Sequence, residues 1–383
     1  MFKIQEPAIF TAKKIIIIST RQIGDVLLTT PLALSMRNQY PQAQIDFLVF
    51  KGKASILAGN STINNIIEVS EKPNLVEYFQ IFKSIFRQYD VAFITQASDR
   101  AHLYGWLSAK MRVGLLPANK SHQWWKKHIC KHWQMLDDNN THTVTQNLLL
   151  ADCIGLPLHF DVVTPHNEKS AEYCQALLNF DAKKISYVMI HPYPMWQYKL
   201  WTIAGWQVLI AHMQALGLHV VISSGNAENE LTYCHEIAKK FTSGISLLNG
   251  KTSFADAAFL LKHAKAYVGM DTVMTHLAAA SGTPTLALYG PTNPIKWAPW
   301  PFGYHEKKSP WQHYSAHFQQ INNVLLLQGL GNCVPCHKAG CDDHNKSHSQ
   351  CLDHLAPSRV IASFDTLMTG NFASKKIIPI CAS

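Results

Sequence analysis

Four consecutive isoleucines, Ile15-Ile16-Ile17-Ile18, constrain this fold more than any other stretch of the chain. A strand with one dry face and one wet face alternates apolar and polar residues. A run that is β-branched at every position has to be dry on both sides, as in a parallel strand covered by helices above and below. The pattern after it agrees. A loop over 21–25 leads to a helix over 26–39 with Pro31 in its first turns. Strands follow over 45–49, 63–69 and 91–95, with a helix over 75–87 between the last two. Strand–helix alternation of this kind specifies an α/β fold around a parallel sheet.

The alternation blurs over 119–140, where Lys120, Lys126, Lys127 and Lys131 interleave with Trp124, Trp125, Trp133 and three histidines. That mixture suits a membrane interface or an acidic glycolipid. It also suits single-stranded nucleic acid or an ordinary surface loop. A helix over 143–154 and a polar connector over 158–184, with a helical piece at 170–179, lead to a second series. Its strands are 185–190, 218–223, 245–248, 264–269 and 285–289. Its helices are 202–216, 227–241, 254–263 and one after Asp271. Two such series imply two doubly wound domains, 1–180 and 181–356, with a late helix over 357–370 rejoining the first.

At 383 residues each domain is long enough for its own core. No apolar run approaches the roughly 20 residues of a membrane span. Met1–Pro7 lacks the features of a signal peptide, so a cytoplasmic protein is expected. The formal charge of +9 points to an acidic partner. Nine cysteines, five of them scattered (Cys130, Cys153, Cys174, Cys234, Cys381), do not form a secreted disulfide framework. The other four, Cys333, Cys336, Cys341 and Cys351, are spaced C-x2-C-x4-C-x9-C. That spacing is compatible with structural zinc and equally with unligated thiols.

Chemistry concentrates where strands hand over to helices, since ligands of open α/β sheets bind outside the carboxyl ends of strands. Asp25 follows the first strand and can act as general base or as a helix cap. Lys199 precedes a helix capped by Thr202. A lysine there opposes the helix dipole unless an anion is present, though it can also lie along Trp201. Glu228 or Glu230, at the next such turn, can bind a ribose hydroxyl or simply stabilise the helix start. Asp271, Thr272 and His276 open the helix after the strand at 264–269, with Thr272 and His276 on one face. A helix start there suits a phosphate. Asp271 or Thr272 can instead merely cap it. There is no Walker loop and no G-x-G-x-x-G.

With these residues placed, the chain resembles glycosyltransferase family 9, the ADP-heptose:lipopolysaccharide heptosyltransferases. The likeness rests on Gln22-Ile23-Gly24-Asp25-Val26-Leu27-Leu28-Thr29-Thr30-Pro31, on Lys199-Leu200-Trp201, on 269–277 and on Tyr289-Gly290-Pro291-Thr292. It implies a GT-B fold, two Rossmann-like domains facing a cleft, the first for the acceptor and the second for the nucleotide sugar. It implies heptose transfer from ADP-heptose to the lipopolysaccharide core, inverting and metal-independent, by a protein peripheral at the inner membrane and not bound to nucleic acid. Asp25 would be the base, with Thr20 and Gly24 on the acceptor side. Lys199 would bind the diphosphate; Glu228, Asp271, Thr272, Val273 and His276 would complete the donor site. Val273 and Thr202 depart from the family's usual glycine and proline. A different nucleotide sugar, or a catalytically weak nucleotide- or glycan-binding protein, are the alternative readings.

Overall fold

The computed structural model describes residues 12–119, 121, 123–370 and 376–379. Met1–Pro7, Lys120, His122 and Cys381 lie outside them. The chain forms two compact units, 1–163 with 305–309, and 164–304 with 310–383.

In the first unit the isoleucine run becomes β1 (Lys14–Ser19). It is followed by α1 (Ile23–Leu27), α2 (Thr30–Gln39), β2 (Gln44–Phe50), β3 (Asn65–Val69) and α3 (Leu75–Ile85). Then come β4 (Tyr89–Ile94), α4 (Asp99–Ser108), β5 (Ala109–Leu116), α5 (Trp124–Ile129), β6 (His132–Met135) and α6 (Thr143–Asp152). The sheet order is β3-β2-β1-β4-β5-β6, parallel throughout. β1 is paired on both edges, Lys14 to Ser19 with Gln44 to Val49 and Ile15 to Ile18 with Val91 to Ile94. All four isoleucines are fully buried, as a strand dry on both faces requires.

The second unit holds α7 (Ser170–Leu178), β7 (Tyr187–His191), α8 (Ile203–Ala215), β8 (His219–Ile222), α9 (Glu228–Ala238), β9 (Ile245–Leu247) and α10 (Phe254–His263). It continues with β10 (Ala266–Met270), α11 (Val273–Ala280), β11 (Thr285–Tyr289), α12 (Pro294–Trp297), β12 (Ala316–Ile321) and β13 (Val324–Gln328). It ends with α13 (Gln350–Asp353), α14 (Pro357–Met368) and β14 (Lys376–Pro379). Its sheet runs β9-β8-β7-β10-β11-β13, all parallel, then β12 and β14 antiparallel at the edge. Each sheet therefore starts in the middle, grows one way and then reverses. The reversal lies between β1 and β4 in the first and between β7 and β10 in the second. Those are the topological switch points where such sheets bind ligands.

Several expectations need correcting. The helix expected over 26–39 is two helices, because proline has no N–H and belongs in a first turn. Pro31 opens α2, and the loop expected over 21–25 already turns helical at Ile23. The blurred segment is not a loop: α5 and β6 continue the alternation. α4 and β5 escape the sequence reading. α4 is short, mixed in polarity and held tight against the sheet, where a Cβ on Gly105 would come within 2.4 Å of the Ile94 side chain. The hairpin β12–β13 also escapes it, although Asn322-Asn323 is a two-residue turn with Asn322 at φ 46°.

The domain boundary is also displaced. α7 belongs to the second unit, where Ser170 Oγ donates to Asp256 Oδ1 at 2.6 Å and Cys174 is buried. α14 does not return to the first unit. Its Val360, Phe364 and Leu367 are buried in the core of the second unit with Leu209, Met213 and Leu286. Among the described residues no helix is long and apolar enough to cross a membrane. Removing the Phe364 ring should leave a cavity in the second core. Phe364→Ala is expected to lower the unfolding free energy of that unit by about 3–5 kcal/mol, read as an earlier urea transition for that unit alone.

Candidate functional site

Both switch points carry the residues singled out by sequence. At the first, Thr20 follows β1 and Gln96 follows β4. The Thr20 hydroxyl and the Gln96 side-chain amide lie 2.8 Å apart. Asp25 stands in the first turn of α1, its side chain 13% exposed and its Oδ2 3.8 Å from Arg21 Nε. The cap position belongs to Gln22, so Asp25 is not the cap. Thr29 Oγ1 donates to the Asp25 carbonyl at 2.8 Å, which fixes the bend between α1 and α2. Gly24 precedes Asp25 within the same turn.

At the second switch point the cation comes from a 3-10 turn, Gln197–Lys199, in the connection from β7 to α8, and the acid directly follows β10. Lys199 Nζ lies 2.5 Å from Asp271 Oδ2, with side-chain exposures of 17% and 9%. Lys199 does not lie along Trp201. That indole is buried and donates to the Leu355 carbonyl at 2.8 Å. Burial pushes the Asp271 carboxyl up. The Lys199 charge, hydrogen bonds from Lys199 and Thr292, and His276 together outweigh it, so the group is held below the usual carboxylate range.

Asp271 therefore does not cap α11. Thr272 occupies the cap position, but its side chain makes no capping hydrogen bond, and Thr202 does cap α8, accepting from Gly205 N at 3.0 Å. The start of α11 is thus a helix N-terminus without a side-chain cap, beside a lysine. Its positive dipole end and amide donors suit an anion. Val273 is the first residue of α11 and is not among the residues with positive φ. Glycine's backbone freedom is not needed there, and the change from glycine is one of bulk at the helix start.

His276 lies one turn on, buried, and its Nδ1 has no hydrogen-bond partner among the described residues. Burial lowers its pKa to about 4, against the opposing pull of Asp271, so the imidazole is neutral at pH 7. Tyr289, at the end of β11, is buried and donates to the Trp297 carbonyl at 3.0 Å; burial, with the nearby Asp271 charge, raises its pKa well above the usual value. His191, at the end of β7, is also lowered to about 4 by burial, and its Nδ1 lies 3.0 Å from Ser223 Oγ.

Lys199, Asp271, Thr272, Val273 and His276 come together. Glu228 does not join them: it is the exposed first residue of α9. The other acid of that turn, Glu230, folds back and accepts from Gly225 N. Gln96 is an addition to the residues expected, whereas Tyr289 and Thr292, already part of the family likeness, lie beside Asp271. Gln96 follows β4, which borders the first switch point, and its place there is seen only once the strand order is known.

The cysteine loop gathers around Cys351. Its thiol is pushed up to about 12 by burial and by neighbouring Cys336, Cys333 and Cys341. Among the described residues no group of three or more His, Cys, Asp or Glu is placed to hold one metal ion.

The family model for glycosyltransferase family 9 (heptosyltransferase) matches residues 78–325. Lipopolysaccharide heptosyltransferase 3 of Escherichia coli K12 is 29% identical over 289 residues, covering 73% of this chain and 83% of that protein. Lipopolysaccharide heptosyltransferase 1 of Pseudomonas aeruginosa is 23% identical, covering 93% and 98%. A family 9 glycosyl transferase from Veillonella parvula superposes with a TM-score of 0.74 at 15% identity, covering 94% of this chain and 98% of that one. Escherichia coli ADP-heptose lipopolysaccharide heptosyltransferase II does so with 0.70 at 19%, covering 94% and 100%. The likeness to these structures shows a shared fold, the two-sheet α/β architecture expected as GT-B.

The buried histidines give a pH signature. An unfolded chain titrates its histidines near 6.5, whereas His276, His191 and His102 bind protons only near 4 in the fold. Between those values the unfolded state holds more protons, so stability is full above about pH 6.5 and falls as pH drops toward 4. His276→Asn should make that decline shallower in urea titrations across this range. An unchanged slope would show that His276 is not held neutral.

Proposed function

The chain belongs to glycosyltransferase family 9 and is a glycosyltransferase, and from that premise we propose that it moves heptose from ADP-heptose to a sugar hydroxyl of the lipopolysaccharide inner core. The named relatives support heptose and lipopolysaccharide. One observation carries the chemistry, the Lys199–Asp271 pair beside the start of α11 at the second switch point. When the glycosidic bond to a nucleoside diphosphate breaks, its electron pair leaves on the phosphate oxygen. Fixed positive partners must meet that charge if no metal does. Lys199 is an ammonium held at Asp271, a fixed cation with N–H donors of the kind that meet phosphate oxygens. Asp271 positions the ammonium, and the α11 start adds amide donors.

In this reading Asp25 takes the proton of the acceptor hydroxyl as its oxygen attacks the anomeric carbon, on the face opposite the departing ADP. The configuration therefore inverts. Thr20, Gln96 and Gly24 form the acceptor-side surroundings of Asp25. His276, neutral, contributes a hydrogen bond to donor phosphate or sugar rather than a charge. Glu228, exposed at the start of α9, is the acid proposed for a ribose hydroxyl, since Glu230 is engaged by Gly225 N.

A catalytically weak nucleotide- or glycan-binding protein is the second reading, and Val273 at the helix start is the residue that favours it. Structural zinc at Cys333, Cys336, Cys341 and Cys351 rests on the spacing alone, since the described residues place no three of them around one ion. Metal analysis of protein purified without chelator tests it, and finding none removes it.

Asp25→Asn is the decisive substitution for the reaction. ADP release from ADP-heptose with a truncated lipopolysaccharide acceptor should fall by about 10²–10⁴-fold in kcat, while the KM for donor stays close to wild type. Full turnover by this variant would show that Asp25 is not the base.

A further inference from the structure

α3 is amphipathic, but its apolar arc is wider than the core beneath it. Ile81 and Ile85 are buried. Leu75, Phe79, Phe82 and Phe86, spaced four, three and four apart, form a second stripe beside them and point outward. Leu75 is 87% and Phe79 67% exposed. Helix spacing makes these four side chains one continuous ridge, and Phe82 and Phe86 stack at 4.6 Å. α3 packs against α4, and α4 against α5. α4 exposes Leu103 and Trp106; α5 exposes Trp124, and β6 exposes Trp133. An apolar surface of this extent marks an interaction site rather than chance exposure.

Its charge identifies the occupant. Residues 72–133 contain ten lysines and arginines and three acids, seven of the chain's nine net positive charges in 62 residues. Every one of those acids is engaged internally. Glu77 pairs with Lys51 at 2.8 Å, Asp90 accepts from the backbone of Lys13 and Lys14, and Asp99 pairs with buried Lys126 at 2.7 Å. Lys72, Lys83 and Lys110 are exposed and pair with no carboxylate among the described residues. Seven of the ten cations are lysine. Lysine is depleted at protein–protein interfaces, whereas lysine with exposed aromatics is the composition that meets anionic headgroups and the interface beneath them.

We propose that the α3–α4–α5 face of the first unit docks on an anionic phospholipid bilayer, with the Leu75–Phe79–Phe82–Phe86 ridge entering the interface and the surrounding lysines meeting the headgroups. This places the contact on α3, ahead of the tryptophan-rich segment to which the sequence points. It stands apart from the transferase chemistry, because none of these residues belongs to either switch point.

Flotation of the full chain, without nucleotide or acceptor, tests it. Vesicles of one part phosphatidylglycerol to two parts phosphatidylcholine should carry the protein, and pure phosphatidylcholine vesicles should not. Binding should weaken as salt is raised. Leu75→Ser with Phe79→Ser should lose at least about tenfold in vesicle affinity. Lys72→Gln and Lys83→Gln should each lose about fivefold. The targets are exposed, so each variant should keep wild-type ADP release with a soluble acceptor, which separates failure of docking from failure of the transferase reading. Equal binding to neutral vesicles, no binding to anionic ones, or wild-type binding by the double variant would each overturn the proposal. So would a wild-type dimer in solution that Phe79→Ser converts to monomer without vesicle binding, since the face would then be a contact between copies.

Discussion

The second unit is organised around one ion pair, Lys199 with Asp271, set across the gap between β7 and β10. Burying two charges costs more than an ordinary contact returns. Such a pair persists only when its geometry is tight and its remaining valences are met. Here the carboxylate is met by Lys199 at 2.5 Å and by Thr292, with Tyr289 beside it. A pair of this kind adds little net stability, but loss of one partner strands the other charge at a cost of about 3–5 kcal/mol. Its place at the reversal of the strand order gives it a second meaning, because a bound anion there finds both a fixed cation and a helix start without a side-chain cap.

The first unit repeats the plan with neutral groups. Thr20 and Gln96 close the gap between β1 and β4 where Lys199 and Asp271 close the other. One switch point thus holds a carboxylate, Asp25, 3.8 Å from Arg21, and the other a lysine bonded to a carboxylate. The two units repeat the same order over six strands with different polar groups at the reversal. In the proposed reading Asp25 meets a hydroxyl that must lose a proton and Lys199 meets a phosphate that must be held.

Much of this is legible in the sequence, for identifiable reasons. Ile15–Ile18 reads correctly because a strand buried on both faces leaves no alternative, and Phe254–His263 because its apolar period is clear and Ser253 caps it. α4 and β5 are not legible, since Gly105 is in α4 for close packing against Ile94 and weakens the helical signal. The Lys199–Asp271 pair spans 72 residues of chain. Each residue is visible as a candidate, but their contact depends on β7 and β10 being neighbours, which no local pattern states. Between Glu228 and Glu230 the sequence leaves the choice open for a related reason: only the turn's geometry shows that Glu230 folds back on Gly225. The return of α14 to the first unit is inferred from order along the chain, whereas its apolar face matches the second core.

The most direct measurement is calorimetric binding of ADP and of adenosine to the wild-type protein and to Lys199→Gln. Each protein's ratio of the two affinities is its own control for folding. If Lys199 holds the diphosphate, wild type should prefer ADP by about a hundredfold, as two charge-assisted hydrogen bonds imply. The preference should fall most of the way toward unity in Lys199→Gln, with adenosine affinity unchanged. A Lys199→Gln protein that keeps the full preference for ADP would contradict the account.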